Sequence, residues 1–358
     1  MLAAKRMEAS RFSFDLPPEL IAQHPPDRRG QSRLMVLPAG GDPEHRHFSE
    51  LPELLRDGDV MVINDTRVRH SRLRGLPAGG GGKAVEFLLV APDAGDLSRW
   101  QAMARGGRRL VGRRFQFPET REVEVESEAS GQLWLRFDAP LDDAYFDAHG
   151  AVPLPPYIER EAGPADAARY QTIYAERTGS AAAPTAGLHF DVALLERLRG
   201  RGVQVVPLTL EVGVGTFTPI RTERIEEHRM HLERYEVPTA TADVINGARL
   251  DGRSVVAVGT TVVRSLESAC DAAGRVAAGP GSTELFIRPG FRFRVVDRLI
   301  TNFHTPRSSL LVMVCAFAGT ERLLQAYRDA VERRYRFFSY GDATLLDVGE
   351  GASAGIAQ

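Results

Sequence analysis

The chain has 358 residues, 43% of them hydrophobic and 26% charged, an ordinary globular composition with room for two domains. Its 45 basic side chains against 47 acidic ones leave a net charge of -2, which excludes a polycation that coats nucleic acid indiscriminately, so any nucleic-acid surface must be local. Only Lys5 and Lys83 among the basic residues are lysine; arginine forks suit phosphates and stack on bases better than ammonium groups do.

From Asp59 to Asp65 the run DVMVIND reads as a buried strand ending in polar turn residues. After Arg74, GLPAGGGGK is a flexible turn, and VEFLLV, RWQAMA, EVEVESE and QLWLRF follow as short alternating runs separated by Gly, Pro and Asp. That grammar predicts a small antiparallel sheet or barrel, closing at the stiff return VPLPPYI, Val152 to Ile158. Beyond it helix and strand alternate. Asp191 caps a helix with Val192, Leu194, Leu195 and Leu198 on one face and Gly200 or Gly202 at its end. VQVVPLTLEV is a strand, and Thr239 or Thr241 opens a helix reaching about Leu250. SVVAVGTT is a strand continuing helically from Val262 to Ala273; TELFI and FRVVDRLITNF are strand-like; Thr320 to Arg334 is a helix. Such alternation predicts a largely parallel sheet covered by helices. The expected organisation is a discontinuous α/β domain over residues 1–67 and 153–358, with an inserted antiparallel β-barrel over 68–152.

Ligands of open α/β sheets gather beyond the carboxyl ends of strands, so those ends carry the most weight for chemistry. They give Asn64-Asp65-Thr66-Arg67, then Gly213, Gly215 and Thr216 in GVGTF, then Gly259-Thr260-Thr261 with Arg264 one turn on, then Thr301-Asn302-Phe303-His304. The set points to one polar pocket. GVGTF is not a dinucleotide fingerprint, because position 218 is Thr218 and Pro219 intervenes before any helix. GSAAAPTAGLHF, Gly179 to Phe190, gathers small residues that leave backbone N–H groups approachable. His228 and His231 have helical spacing but no companion ligands, so no metal site is expected. Cys270 and Cys315 form no CxxC, which argues against a disulfide framework. Residues Leu310 to Ala318, the longest apolar run, are too few to span a bilayer, and MLAAKRMEASRF lacks a signal-peptide core. A cytoplasmic protein with no membrane association is expected.

NDTRV, PLPPYI, YQTIYAE, AAPTAGLHF, VGTF, EEHRMH, VAVGTTVVRSLES, LITNFH and YRFFSYGDA, in that order, closely resemble the S-adenosylmethionine:tRNA ribosyltransferase-isomerase family of queuosine biosynthesis, from about Phe14 to Leu346. The resemblance implies a barrel-like α/β main domain with an inserted antiparallel β-barrel. It implies an enzyme, acting as a monomer, that moves the ribosyl portion of S-adenosylmethionine onto 7-aminomethyl-7-deazaguanine at the wobble position of tRNAs with GUN anticodons. Epoxyqueuosine-tRNA, adenine and methionine result, with no metal or separate cofactor. A base is needed beside the sulfonium, and His189, His304, Asp65 and Glu284 are the candidates. Thr185 and Gly187 would wall the nucleoside pocket, Thr260 and Thr261 suit ribose hydroxyls, and Gly213, Gly215, Thr216 and Asn302 complete the substrate set. Arg67 and Arg264 are forks for the methionine carboxylate or a phosphate. Arg105, Arg108, Arg109, Arg113 and Arg114 form the densest basic cluster and are assigned to tRNA phosphates; Tyr335 and Tyr340 are candidates for stacking on anticodon bases. The chain departs from the family's usual NDTRVIPARL at Arg69, His70 and Ser71, and carries Glu211, Thr305 and Arg307 where histidine, leucine and lysine are common.

Overall fold

A computed structural model describes residues 7–80, 82–93, 95–106, 109–129, 131–213, 219–349 and 352. Its strands are β1 (Arg33–Leu37), β2 (Glu44–His47), β3 (Val60–Asn64), β4 (Thr66–Val68), β5 (Arg72–Pro77), β6 (Val85–Asp93), β7 (Asp96–Arg105), β8 (Arg114–Gln116), β9 (Glu122–Ala129) and β10 (Gln132–Phe137), then β11 (Arg177–Ser180), β12 (Gln204–Leu210), β13 (Glu233–Val237), β14 (Val255–Val258), β15 (Gly279–Thr283), β16 (Arg298–Asn302) and β17 (Ala343–Asp347). The α-helices are α1 (Leu51–Leu54), α2 (Asp143–His149), α3 (Pro164–Arg169), α4 (Val192–Gly200), α5 (Thr239–Leu250), α6 (Thr260–Ala269), α7 (Ser309–Ala318) and α8 (Thr320–Glu332).

Nine strands form one mixed sheet in the order β15-β13-β12-β3-β14-β16-β17-β1-β2. Its centre, β12-β3-β14-β16, is parallel throughout. Both flanks depart from the largely parallel expectation, since β13 and β15 add antiparallel on one side and β17 runs against β16 on the other. A parallel centre has a physical consequence: the carboxyl ends of four adjacent strands emerge along one edge. The centre is buried on both faces, as Val60 to Asn64 and Val255 to Val258 are apolar or sheltered at every position. Helices α5, α6 and α7 cover one face with a large apolar cluster, and α1 and α4 cover the other through Leu51, Leu194, Leu195 and Leu198.

Strands β5 to β10 close a separate six-stranded barrel in the order β10-β7-β6-β5-β8-β9, every pairing antiparallel. Period-two alternation fills its interior with Phe87, Trp100, Phe115, Val125 and Leu135. Two arginines just ahead of the barrel pair with helix α2 just after it, the first of them on β4, which forms a separate two-stranded parallel sheet with β11. Arg67 on β4 grips both carboxylate oxygens of Asp147 on α2 at 3.1 and 3.0 Å. Arg69 donates to Asp143 at 2.9 Å and lies 5.3 Å over the Trp100 ring.

Local rules account for most elements and for the exceptions. Asp191 caps α4 by accepting from the Leu194 N–H, but Val192 is 60% exposed and does not share the apolar face. TELFI is not the edge strand: pairing with β13 selects GPGST, and only Thr283 is common to both. In FRVVDRLITNF the strand is confined to Arg298–Asn302, because Phe293 and Val295 leave the sheet to pack on the helical side. Helix α6 ends at Ala269 and not at Ala273. No single helix among the described residues is long and apolar enough to cross a membrane; α7 and α8 reach that length only as a pair bent by 113°, and α7 is core.

Candidate active site

At the carboxyl edge of β14 and β16 a cleft is lined by Ala183 to Ala186, Val212, Gly259 to Thr261, Thr301 to Thr305 and Phe338 to Ser339, with Tyr157 facing them. Three sequence features build it. The small-residue run supplies one wall as a 3-10 turn, Thr185–His189. Gly259 turns strand β14 into α6 at φ 96°, a backbone state that side chains oppose, and its N–H donates to Ile300 O at 2.8 Å. The N-terminus of α6 therefore opens on the cleft with Thr260 and Thr261, and the Thr261 hydroxyl is buried without a partner. The β16 end supplies Asn302 and His304.

His304 and Tyr157 are the titratable side chains among these lining residues. The His304 Nε2 lies 3.0 Å from Thr301 Oγ1, and burial pushes its pKa down to about 3. The ring is therefore neutral at physiological pH and places no like charge beside a bound cation, but the same burial makes it a weak base. Tyr157 stacks on Phe338, ring centroids 3.7 Å apart at 24°, and its hydroxyl is bonded to Ser339. Burial raises its pKa well above the usual phenol value.

The remaining sequence candidates fall in several places. Thr185, Thr260, Thr261, Asn302 and His304 meet around the cleft. His189 stands one layer behind, its Nδ1 2.9 Å from Ser32 Oγ and its pKa pushed down to about 4 by burial. Gly187 serves packing, since a Cβ there would meet Tyr174 Oη at 2.2 Å. Gly213 lies just beyond Val212 outside the lining, and Gly215 and Thr216 fall outside the described residues. Asp65 turns away to accept from Thr209 at 2.6 Å, with its pKa raised by burial; Glu284 is exposed beyond the edge strand β15.

Four further expectations need correction. Arg264 does not reach for a ligand carboxylate: its side chain is 3% exposed and paired with Glu233. Arg67 is engaged with Asp147. Tyr335 and Tyr340 are 1% and 2% exposed, bonded to His45 and Asp166 at 2.9 Å each, so neither can stack on a base. In the YRFFSY run the residue at the cleft is Phe338, while Phe337 is buried. Periodicity cannot separate adjacent aromatics whose directions are set by a left-handed backbone at Phe338, φ 70°. Tyr157 escapes sequence reasoning although PLPPYI stands out, because its proline context signals only a turn.

On the barrel, Arg113 and Arg114 are exposed, Arg114 facing Glu124 at 3.4 Å, and Arg109 is exposed with φ 52°. Arg105 borders a groove between the barrel and the 154–161 segment together with Arg72, Arg74 and Arg160. Arg108 lies outside the described residues. No group of three His, Cys, Asp or Glu side chains gathers at metal-binding distance among the described residues.

A family model described as queuosine biosynthesis protein matches residues 9–346. A relative from Geobacter sulfurreducens is 49% identical over 95% of this chain and 100% of its own length. Another from Anaeromyxobacter dehalogenans is 54% identical over 95% and 99%. Both are named S-adenosylmethionine:tRNA ribosyltransferase-isomerase. The crystal structure of an S-adenosylmethionine tRNA ribosyltransferase from Thermotoga maritima shares the fold at a TM-score of 0.53 and 35% identity, covering 94% of this chain and 100% of that one. The chain belongs to the queuosine biosynthesis family of S-adenosylmethionine:tRNA ribosyltransferase-isomerases.

Proposed function

We propose that the enzyme transfers and isomerises the ribosyl portion of S-adenosylmethionine onto the aminomethyl nitrogen of 7-aminomethyl-7-deazaguanine at the wobble position of GUN-anticodon tRNAs. Epoxyqueuosine-tRNA forms, and adenine and methionine leave. S-adenosylmethionine is consumed as a co-substrate, and no separate cofactor takes part.

The observation that carries this reading is the convergence of the Ala183–Ala186 wall, the Gly259–Thr261 turn and the Thr301–His304 strand end on one cleft. Hydroxyls and the α6 N-terminus suit the oxygen-rich parts of the donor, its ribose and its carboxylate. They take over the role that Arg264 cannot fill while it is paired with Glu233. The sulfonium acidifies the adjacent sugar carbon, so a modest base suffices if well placed. Neutral His304 is our candidate for it. The cleft has a volume of about 50 Å³, room for a few waters, so the donor would extend into the mouth, where Phe338 and Tyr157 lie. The basic residues of the barrel would hold the tRNA backbone, whose binding is then salt-dependent.

The test is to incubate the protein with S-adenosylmethionine and tRNA carrying the aminomethyl-deazaguanine, then weigh the tRNA and separate the small products. Adenine and methionine released only with both substrates, together with epoxyqueuosine-tRNA, is the expected result. S-adenosylhomocysteine would instead mark a methyltransferase, and salt-dependent tRNA binding without turnover a silent RNA-binding relative.

A further inference from the structure

Helix α6 begins at the cleft with its first turn covered: Thr260 is 6% exposed, Thr261 4% and Val262 not at all. The N–H groups that open a helix have no acceptor inside it. Gly259 precedes them without a side chain to cap them, and Val263 N–H reaches back to Gly259 O at 3.4 Å. Among the described residues the N–H groups of Thr260, Thr261 and Val262 meet no acceptor. A buried helix end of this kind calls for a partner from outside the chain. The Thr261 hydroxyl is an independent sign of the same need. Its Oγ1 is buried without a partner, and it lies 3.6 Å from the point where a Cβ on Gly259 would stand, as does Ala186 Cβ on the facing wall. Gly259, Thr261 and Ala186 all line the cleft, so the hydroxyl faces the corner between the turn and the alanine wall.

Helix α7 starts beside the same cleft, at Ser308 and Leu310, but its first turn is closed by Ser308 Oγ accepting from Leu311 N–H at 3.1 Å. Its positive end adds to the field, and the open donors are those of α6. No Asp or Glu is among the lining residues, and His304 is neutral, so the field in the corner favours an anion. An ionised carboxylate accepts through about four lone-pair sites and donates nothing, which matches three N–H groups and one hydroxyl in number and kind. It is also small and terminal, as a cleft of about 50 Å³ requires. A ribose hydroxyl brings a proton of its own, and an RNA phosphodiester carries a sugar on either side. We propose that the first turn of α6, through the N–H groups of Thr260, Thr261 and Val262 and the Thr261 hydroxyl, holds the carboxylate of the donor's methionyl end. Arg264 stays with Glu233 one turn further on, so the carboxylate is recognised by a helix terminus and not by a cationic side chain. This inference rests on the cleft being the donor site.

Calorimetric titration of the full-length protein with S-adenosylhomocysteine and with its decarboxylated counterpart tests it, since the two thioethers differ only in the carboxylate. The parent should bind the carboxylated compound about 100-fold more tightly. Thr261→Val keeps the branched shape and removes the hydroxyl; it should weaken S-adenosylhomocysteine about tenfold and leave the decarboxylated compound within about twofold of the parent. Thr261→Ser returns the hydroxyl and should bind both within about threefold of the parent. Thr261→Val should also melt no lower than the parent, because a buried hydroxyl without a partner costs stability, so its lost affinity is not lost folding. Should that variant fail to fold, the parent's own preference between the two compounds carries the inference. Equal affinity of the parent for both, binding of neither, an equal loss for both in Thr261→Val, or a preference untouched by that change overturns it. Turnover of S-adenosylmethionine with the deazaguanine-bearing tRNA is scored separately. Epoxyqueuosine-tRNA formed alongside any of those results leaves the transferase reading intact, whereas no turnover and no binding of either compound overturns both.

Discussion

His304 borders the cleft, and burial keeps its ring uncharged at the expense of its basicity, so it can take a proton only from a carbon that the neighbouring sulfonium has strongly acidified. His304→Asn should therefore lower kcat by on the order of 100-fold or more, with little change in S-adenosylmethionine affinity; stopped product formation and calorimetry read the two apart. The same burial predicts an acid sensitivity. Folding depresses the proton affinity of His189 to about 4 and of His304 to about 3, from 6.5. As pH falls the unfolded chain takes up these protons first, so their stabilising effect is whole above about pH 6.5 and is lost towards the folded values. Each ring contributes a slope of about 1.4 kcal/mol per pH unit in that window. Thermal melts between pH 6.5 and 4.5 should show a smaller loss in His304→Asn than in the parent, and parallel curves would contradict the assignment. At this scale the strand-end polar residues were legible because strand termini are marked by composition. The Tyr157–Phe338 pair was not, because a stacking direction depends on backbone torsions that no side-chain pattern encodes.

Helix α6 shows how an element can mislead when read alone. Arg264 follows Thr260 by one turn and therefore looks like a ligand residue, yet its partner Glu233 lies on β13, a strand distant in sequence. A buried pair of this kind is worth little against an apolar replacement, while removing one member strands a charge. Arg264→Leu alone should cost about 3–5 kcal/mol in denaturant unfolding, and Arg264→Leu with Glu233→Leu should recover most of it. Equal loss in the single and double variants would mean that the pair is not coupled. The elements themselves were readable where local rules decide: β3 by its apolar run, α4 by its Asp191 cap, and β6, β7, β9 and β10 by alternation. Strands β1 and β17 were not found, because each is held by a parallel partner some 300 residues away in sequence, Leu34 opposite Ala343 through Leu37 opposite Leu346. The edge strand β15 was misplaced for the same reason, its sequence GPGST having no strand preference of its own.

For the whole molecule, the sheet assembles the cleft and the barrel carries exposed arginines, with Arg67 and Arg69 ahead of the barrel paired to α2 after it. If the barrel grips RNA phosphates, Arg113→Ala with Arg114→Ala should weaken tRNA binding uniformly across tRNAs and flatten the salt dependence by about 0.7 to 0.9 in slope for each phosphate no longer neutralised. An unchanged slope in filter-binding or anisotropy titrations would remove these arginines from the interface. The alternating grammar of the barrel and the β-α alternation around it made the two-part plan readable from sequence, but the antiparallel flanks of the main sheet depend on long-range pairing. The function assigned to these strand ends depends on where the donor binds, and a crystal soaked with S-adenosylmethionine tests this most directly. Density for the donor against Thr260, Thr261 and His304, with its sulfonium carbon within reach of the His304 ring, is the predicted result; a donor lodged in the groove beside Arg105, or anywhere away from these strand ends, would contradict it.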